Sequence, residues 1–135
     1  MAGDTDDAAD TGDFPLQRFL GMELSADEPG VGVAHVEVCD DHLNPNGVVH
    51  GAVLFALVDT AMGKATMSTI DQVGQYCASI EVSLRFLRPT IAGRLTATVT
   101  VVKRGRTVVH LDGRIVDDDH RLIATAAGTF AILGG

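Results

Sequence analysis

No apolar run in this 135-residue chain reaches the ~20 residues that a membrane-spanning helix needs. Its opening segment is the opposite of a secretory signal: residues 1–13 hold five Asp and no basic residue. The default expectation is a cytoplasmic protein with no membrane partner. Cysteine is scarce. Cys39 and Cys77 lie in strand-like stretches without metal-ligand spacing, so buried, reduced thiols are the simplest reading. Basic residues are outnumbered, ten Lys and Arg against eighteen Asp and Glu, and the net charge of −8 argues against general nucleic-acid binding. Three chemical signatures are missing as well: the G-x-x-x-x-G-K phosphate loop, H-E-x-x-H, and the G-x-S-x-G elbow. His42, His50, His110 and His120 fall on separate turns and strands, without close spacing. No metal or redox cofactor is expected.

What remains suits one domain with a sizeable core. The acidic, aperiodic residues 1–13 read as a disordered tail and residues 14–135 as the domain. Phe14–Met22 reads as a short helix, with Pro15 in its first turn and Gly21 at its stop. Residues 31–39 alternate as a strand, after a loop over 25–30. Four β-like segments follow residue 77: 78–87, 94–103, 107–116 and 121–133. In the first of these, Ile80, Val82, Leu84 and Phe86 alternate with Ser79, Glu81, Ser83 and Arg85. Small residues in the last (Ala124, Ala126, Ala127, Gly128) suggest close packing on another element. Strands joined by hairpins after one helix make an α+β protein with an antiparallel sheet.

The stretch from 44 to 63 organises the rest. Asn44, Pro45, Asn46 and Gly47 are turn residues. From Gly51 to about Ser68, Val53, Leu54, Leu57, Val58, Ala61 and Met62 recur at helical steps. This helix is apolar enough to be the core around which the sheet curls. One carboxylate, Asp59, interrupts it. It either faces solvent or is an acid–base or nucleophilic group on a helix whose N-terminal N–H groups, near His50 and Gly51, stabilise an anion. Eight residues separate Gly51 from Asp59, about 12 Å along a helix. If both act on one reacting carbonyl, two chains must supply them.

That layout resembles the hotdog fold, and more narrowly the PaaI-type branch of the 4-hydroxybenzoyl-CoA-thioesterase-like acyl-CoA thioesterases. The resemblance spans about Phe14 to Leu133. It is carried by Asn44-x-x-Gly47-x-x-His50-Gly51 with Asp59 nine positions after the His. It implies an antiparallel sheet wrapped around the long helix, and hydrolysis of an acyl- or aryl-acyl-CoA to the free acid and CoA. The Gly51 N–H would polarise the thioester carbonyl, and Asp59 of a second chain would be base or nucleophile. Asn44 would position water or thioester, His50 would order the turn, and Ser79 would orient water. Ala52 stands where the family usually has a second Gly. Arg85, Arg88, Lys103, Arg104 and Arg106 are the candidates for the CoA phosphates, Phe55 and Met62 for the acyl pocket. The family implies a homo-oligomer, with a dimer of dimers favoured.

Two rivals remain. Hydratases of this fold resemble one another in an Asp followed five residues later by His. Here Glu37, Pro45, Gly105 and Ile115 precede the four His at that spacing. A non-catalytic acyl-CoA sensor or binding module is the other, though no helix-turn-helix segment accompanies the domain and Asp59 is retained.

Overall fold

A computed structural model describes residues 13–26 and 28–135. Apart from Asp13, the expected disordered tail lies outside these residues. Helix α1 covers Pro15–Leu20, followed by strands β1 (Glu23–Ser25) and β2 (Val31–Glu37) and a 3-10 turn, Asp40–His42. Helix α2 then runs Gly51–Met67, and β3 (Gln75–Phe86), β4 (Arg94–Arg104), β5 (Val108–Val116) and β6 (Leu122–Gly134) complete the chain. β1 and the 3-10 turn are additions to the sequence reading, and β3 starts inside the segment read as a loop.

Helix α1 is short, so its ends decide it. Pro15 occupies the first turn, where its missing N–H is no loss, and Gly21 takes the left-handed conformation (φ 73°) that ends it. Gln17 ties the entry to the exit. Its Oε1 accepts from the Phe14 N–H at 3.1 Å, and its Nε2 donates to the Met22 carbonyl at 3.1 Å.

The six strands form one antiparallel sheet in the order β1-β2-β4-β5-β6-β3. Alternate residues point at α2: Ala34 and Val36 from β2, Leu95, Ala97 and Val99 from β4, and Val109, Leu111 and Ile115 from β5 are all buried. α2 answers with Val53, Leu54, Leu57, Val58, Ala61, Met62, Ala65 and Thr66. Burying a side chain such as Leu57 or Met62 is worth about 1.5–3 kcal/mol, more than the ~1 kcal/mol that Gly63 costs mid-helix. Burial therefore holds this helix despite its glycine. The sheet presses close at two points. A Cβ on Gly32 would overlap the Ala61 carbonyl, and one on Gly128 would overlap Met62 Sδ. The close packing expected of the last strand is thus centred on Gly128.

The sheet wraps so far that its two edges flank the helix. Between them α2 shows one stripe: Ala52, Phe55, Asp59 and Met67 are exposed, and Ala56, Thr60 and Gly63 half-buried. The stripe recurs at three- and four-residue steps, as one helix face must. The edges are unequal. β1 has three residues, whereas β3 has twelve and carries exposed Tyr76, Ile80 and Phe86. Among the described residues no helix is long and apolar enough to cross a membrane.

Candidate active site

The turn before α2 is held by its own polar groups. The Asn44 N–H donates to the Val48 carbonyl at 2.7 Å. Its side-chain Oδ1 accepts from Asn46 N–H at 2.9 Å and from Val48 N–H at 3.3 Å. Gly47, at φ 79°, makes the left-handed corner. The Asn44 carbonyl group is thus spent on the turn, which leaves only its NH2 for a ligand. His50 is the N-cap of α2. Its Nδ1 accepts from the Ala52 N–H at 2.9 Å and its carbonyl from the Val53 N–H at 2.9 Å. Ala52 at the family's second-Gly position therefore sits in an ordinary first turn, its side chain exposed.

His42 anchors this turn from beneath. It is buried, accepts from Cys39 N–H at Nδ1 (3.1 Å) and makes a 2.8 Å Nε2 bond with the Leu20 carbonyl. Because Nδ1 accepts, Nε2 carries the proton and donates. The His42 carbonyl in turn accepts the His50 N–H at 2.8 Å. This histidine is structural, linking α1 to the start of α2. Gly51 borders a cleft of about 460 Å³ with Val48, Leu54, Phe86, Arg88 and Thr90. A Cβ on Gly51 would stand 3.1 Å from the Phe86 ring, so glycine lets that ring lie against the helix N-terminus.

Asp59 sits two turns further along, on the exposed stripe. Strict alternation places Ser79 on the face opposite Val82, and the structure corrects this. The β3–β6 register runs Ser79 to Phe130 and then Glu81 to Thr129, so Ile80 is an extra residue and bulges. The bulge turns Cys77 and Ser79 to the helix side and leaves Ile80 60% exposed. Asp59 is open to solvent, yet enough protein surrounds it that desolvation raises its carboxyl pKa. Interaction with the Ser79 hydroxyl pulls it partway back. Burial, and then the Asp59 charge, push the Cys77 thiol up to about 11. That keeps Cys77 protonated and poorly nucleophilic beside the carboxylate.

Around Asp59 and Ser79 lies a cleft of about 740 Å³. It fills the seam between the sheet edges, with Leu24 on one side, Tyr76, Cys77 and Ala78 on the other, and Leu16 of α1 and its N-cap Phe14 above. No pattern in the sequence marks these α1 residues as part of a site, because they are brought in only by sheet curvature. Among the described residues no group of three or more His, Cys, Asp or Glu side chains converges to hold a metal ion.

Several expected site residues fall elsewhere. Met62 is fully buried over Gly128 and belongs to the core, because the helical pattern that suggested it also points it at the sheet. Phe55 turns toward Phe86, edge to face at 6.0 Å, and so sits by the Gly51 cleft. The basic residues are close in sequence but not one patch. Arg88 borders the Gly51 cleft at the start of α2. Arg104 lies past its end, donating to Thr69 Oγ1 at 3.1 Å and to the Gly105 and Arg106 carbonyls. A 17-residue helix separates those ends by roughly 25 Å. Beside Arg88, the 117–121 hairpin adds three Asp, with Arg121 paired to Asp117 at 2.8 Å and to Asp119 at 3.1 Å. The cysteines also differ from expectation. Both are free, but Cys39, past the end of β2, is exposed and Cys77 is half-buried.

A family model described as the thioesterase superfamily matches residues 46–124. Acyl-coenzyme A thioesterase PaaI of Escherichia coli is 32% identical over 119 residues, 87% of this chain and 82% of that protein. A 1,4-dihydroxy-2-naphthoyl-CoA hydrolase of Listeria monocytogenes is 26% identical, across 87% and 94% of the two chains. The solved structure of E. coli PaaI, from the phenylacetic acid degradation operon, superposes with a TM-score of 0.86 at 29% identity and covers 97% and 93% of the chains.

Proposed function

This chain belongs to the thioesterase superfamily, as a PaaI-type hotdog thioester hydrolase, and from that premise we propose that it hydrolyses acyl-CoA through a site shared by two copies. The observation that carries the reading is Asp59 beside Ser79 in an apolar seam that ends at an unpaired strand edge. Asp59 has a raised pKa, the tuning a general base needs to work near neutral pH. It would take a proton from water, oriented by the Ser79 hydroxyl, as the water oxygen adds to the thioester carbonyl. The C–S bond then breaks, giving the carboxylic acid and CoA thiol.

The oxyanion formed on the way needs a donor. Gly51 offers its N–H at the positive end of α2, but about 12 Å from Asp59 of the same chain. Antiparallel pairing of β3 with β3 of a second copy would set Gly51 of one chain against Asp59 of the other. It would also cover Tyr76 and Ile80, and the Gly51 cleft with Arg88 at its rim would become the path for the CoA arm. An assay with acyl-CoA substrates tests this directly. Free thiol should appear with the wild-type protein and fall by ~10²–10⁴-fold in kcat with Asp59→Ala. A folded Asp59→Ala protein with near-normal turnover would sink the mechanism.

A further inference from the structure

Gly63 occupies an interior position of α2, four residues after Asp59 and four before its end at Met67, where glycine weakens a helix. The fold does not require it. At Gly32 and Gly128 a Cβ would overlap the opposing element, so the sheet can approach only because these are glycines. At Gly63 a Cβ would meet only the edge of the Phe130 ring, at 3.9 Å, an ordinary contact. What the missing side chain does is leave the Asp59 cleft open. Gly63 lines that cleft one helical turn from Asp59, and Met67 lines it one turn beyond.

The walls beside this trough are mainly apolar, with Leu16, Leu24 and the ring of Tyr76, while Thr60, Lys64 and Gln75 add polar groups along it. From Asp59 to Met67 is eight residues, about 12 Å. An extended chain advances roughly 1.1–1.2 Å per bond, a third of its reach per residue. A straight chain of roughly ten carbons therefore spans the trough.

We infer that Gly63 is a specificity-determining residue whose absent side chain admits an unbranched, medium-chain acyl group of roughly eight to twelve carbons. The inference rests on the proposed placing of the thioester carbonyl at Asp59. Leu at position 63 would stand across the trough just beyond Asp59, and short acyl groups would stop before reaching it.

The experiment measures kcat/KM for acetyl- through dodecanoyl-CoA, with wild type, Gly63→Ala and Gly63→Leu. Wild type should peak near decanoyl. Gly63→Leu should lose about 30-fold or more on octanoyl to dodecanoyl, mostly in KM, while acetyl and butanoyl change by less than about threefold. Gly63→Ala should fall between and melt at a higher temperature than wild type, which shows that the helix is intact. A uniform loss across all lengths, an unchanged profile in Gly63→Leu, or a wild-type peak at acetyl would overturn the inference. So would a preference for a two-ring aroyl-CoA over decanoyl-CoA. If wild type cleaves no acyl-CoA of any length, the proposed function itself fails, and that result is distinct from the others.

Discussion

The two ends of the candidate site on α2 are finished to different degrees. At the N-terminal end the polar groups are tied down within one chain. Asn44 holds the turn, His50 caps the helix, and His42 fastens both to α1. At Asp59 the carboxylate faces a seam walled by both sheet edges but open to solvent, with Ser79 as the polar neighbour that favours its charge. Beyond Ser79 the outer edge of β3 pairs with no strand among the described residues. One half is a helix start whose polar groups are tied down within the chain; the other is a carboxylate whose surroundings stop at the molecular boundary. A single helix can build both, yet its own pitch keeps them from meeting.

The sharpest way to break this contrast is to deny Asp59 its missing side. Ile80→Asp puts a charge on the exposed bulge of β3, which disfavours edge pairing. We expect a folded monomer by sedimentation, with turnover down by about 10³-fold or more, since the donor is no longer positioned. A fully active monomer would show that one chain suffices. Next come the halves separately. Gly51→Pro deletes the N–H where a helix tolerates proline, with a small shift of the Phe86 ring, and should cost ~10²–10³-fold in kcat, whereas Gly51→Ala, which crowds the same ring but keeps the N–H, should cost far less. Mixed with Asp59→Ala protein, Gly51→Pro should regain up to about one quarter of wild-type activity, because half of the dimers are mixed and each holds one intact site. Equal inactivity before and after mixing would count against a shared site.

Smaller effects probe the base itself. The Ser79 hydroxyl lowers the Asp59 pKa, so Ser79→Ala should move the acid limb of the pH–rate profile to higher pH. A limb that stays put would detach Ser79 from the base. The smallest expected effect is on stability. The folded-state pKa of Asp59 is raised above its ordinary value, so the protonated form favours the fold. That contribution is complete below the unfolded pKa and is lost as pH rises through the folded one. Asp59→Asn should therefore melt higher than wild type at neutral pH, and the advantage should vanish in acid below the ordinary carboxylate range.

How much of this was legible in the sequence depends on the kind of signal. The helix at 51–67 and strands β4 to β6 follow from periodicity, because burial on one face imposes it. The turn at 44–47 follows from residue chemistry. The side of β3 that Ser79 faces does not. One extra residue at Ile80 inverts the alternation, and nothing in Ser79-Ile80-Glu81 marks a bulge. Met62 and Asp59 sit three apart on one helix, yet one is core and the other site, because sheet curvature decides which stripe stays open. The basic residues are spread apart for a related reason. Nearness along hairpin strands does not keep Arg88 and Arg104 together, since each successive strand carries the chain to the other end of the helix.

The inequality of the two sheet edges has a consequence for growth. A sheet with two long open borders can add copies without limit, as fibrils do. Among the described residues β1 offers three residues, too few to template another chain, and β3, with twelve, is the edge long enough to recruit one. A border that pairs antiparallel with its own duplicate is used up in the act, and the symmetry of that contact leaves no second border to extend. Addition along this axis then ends at two.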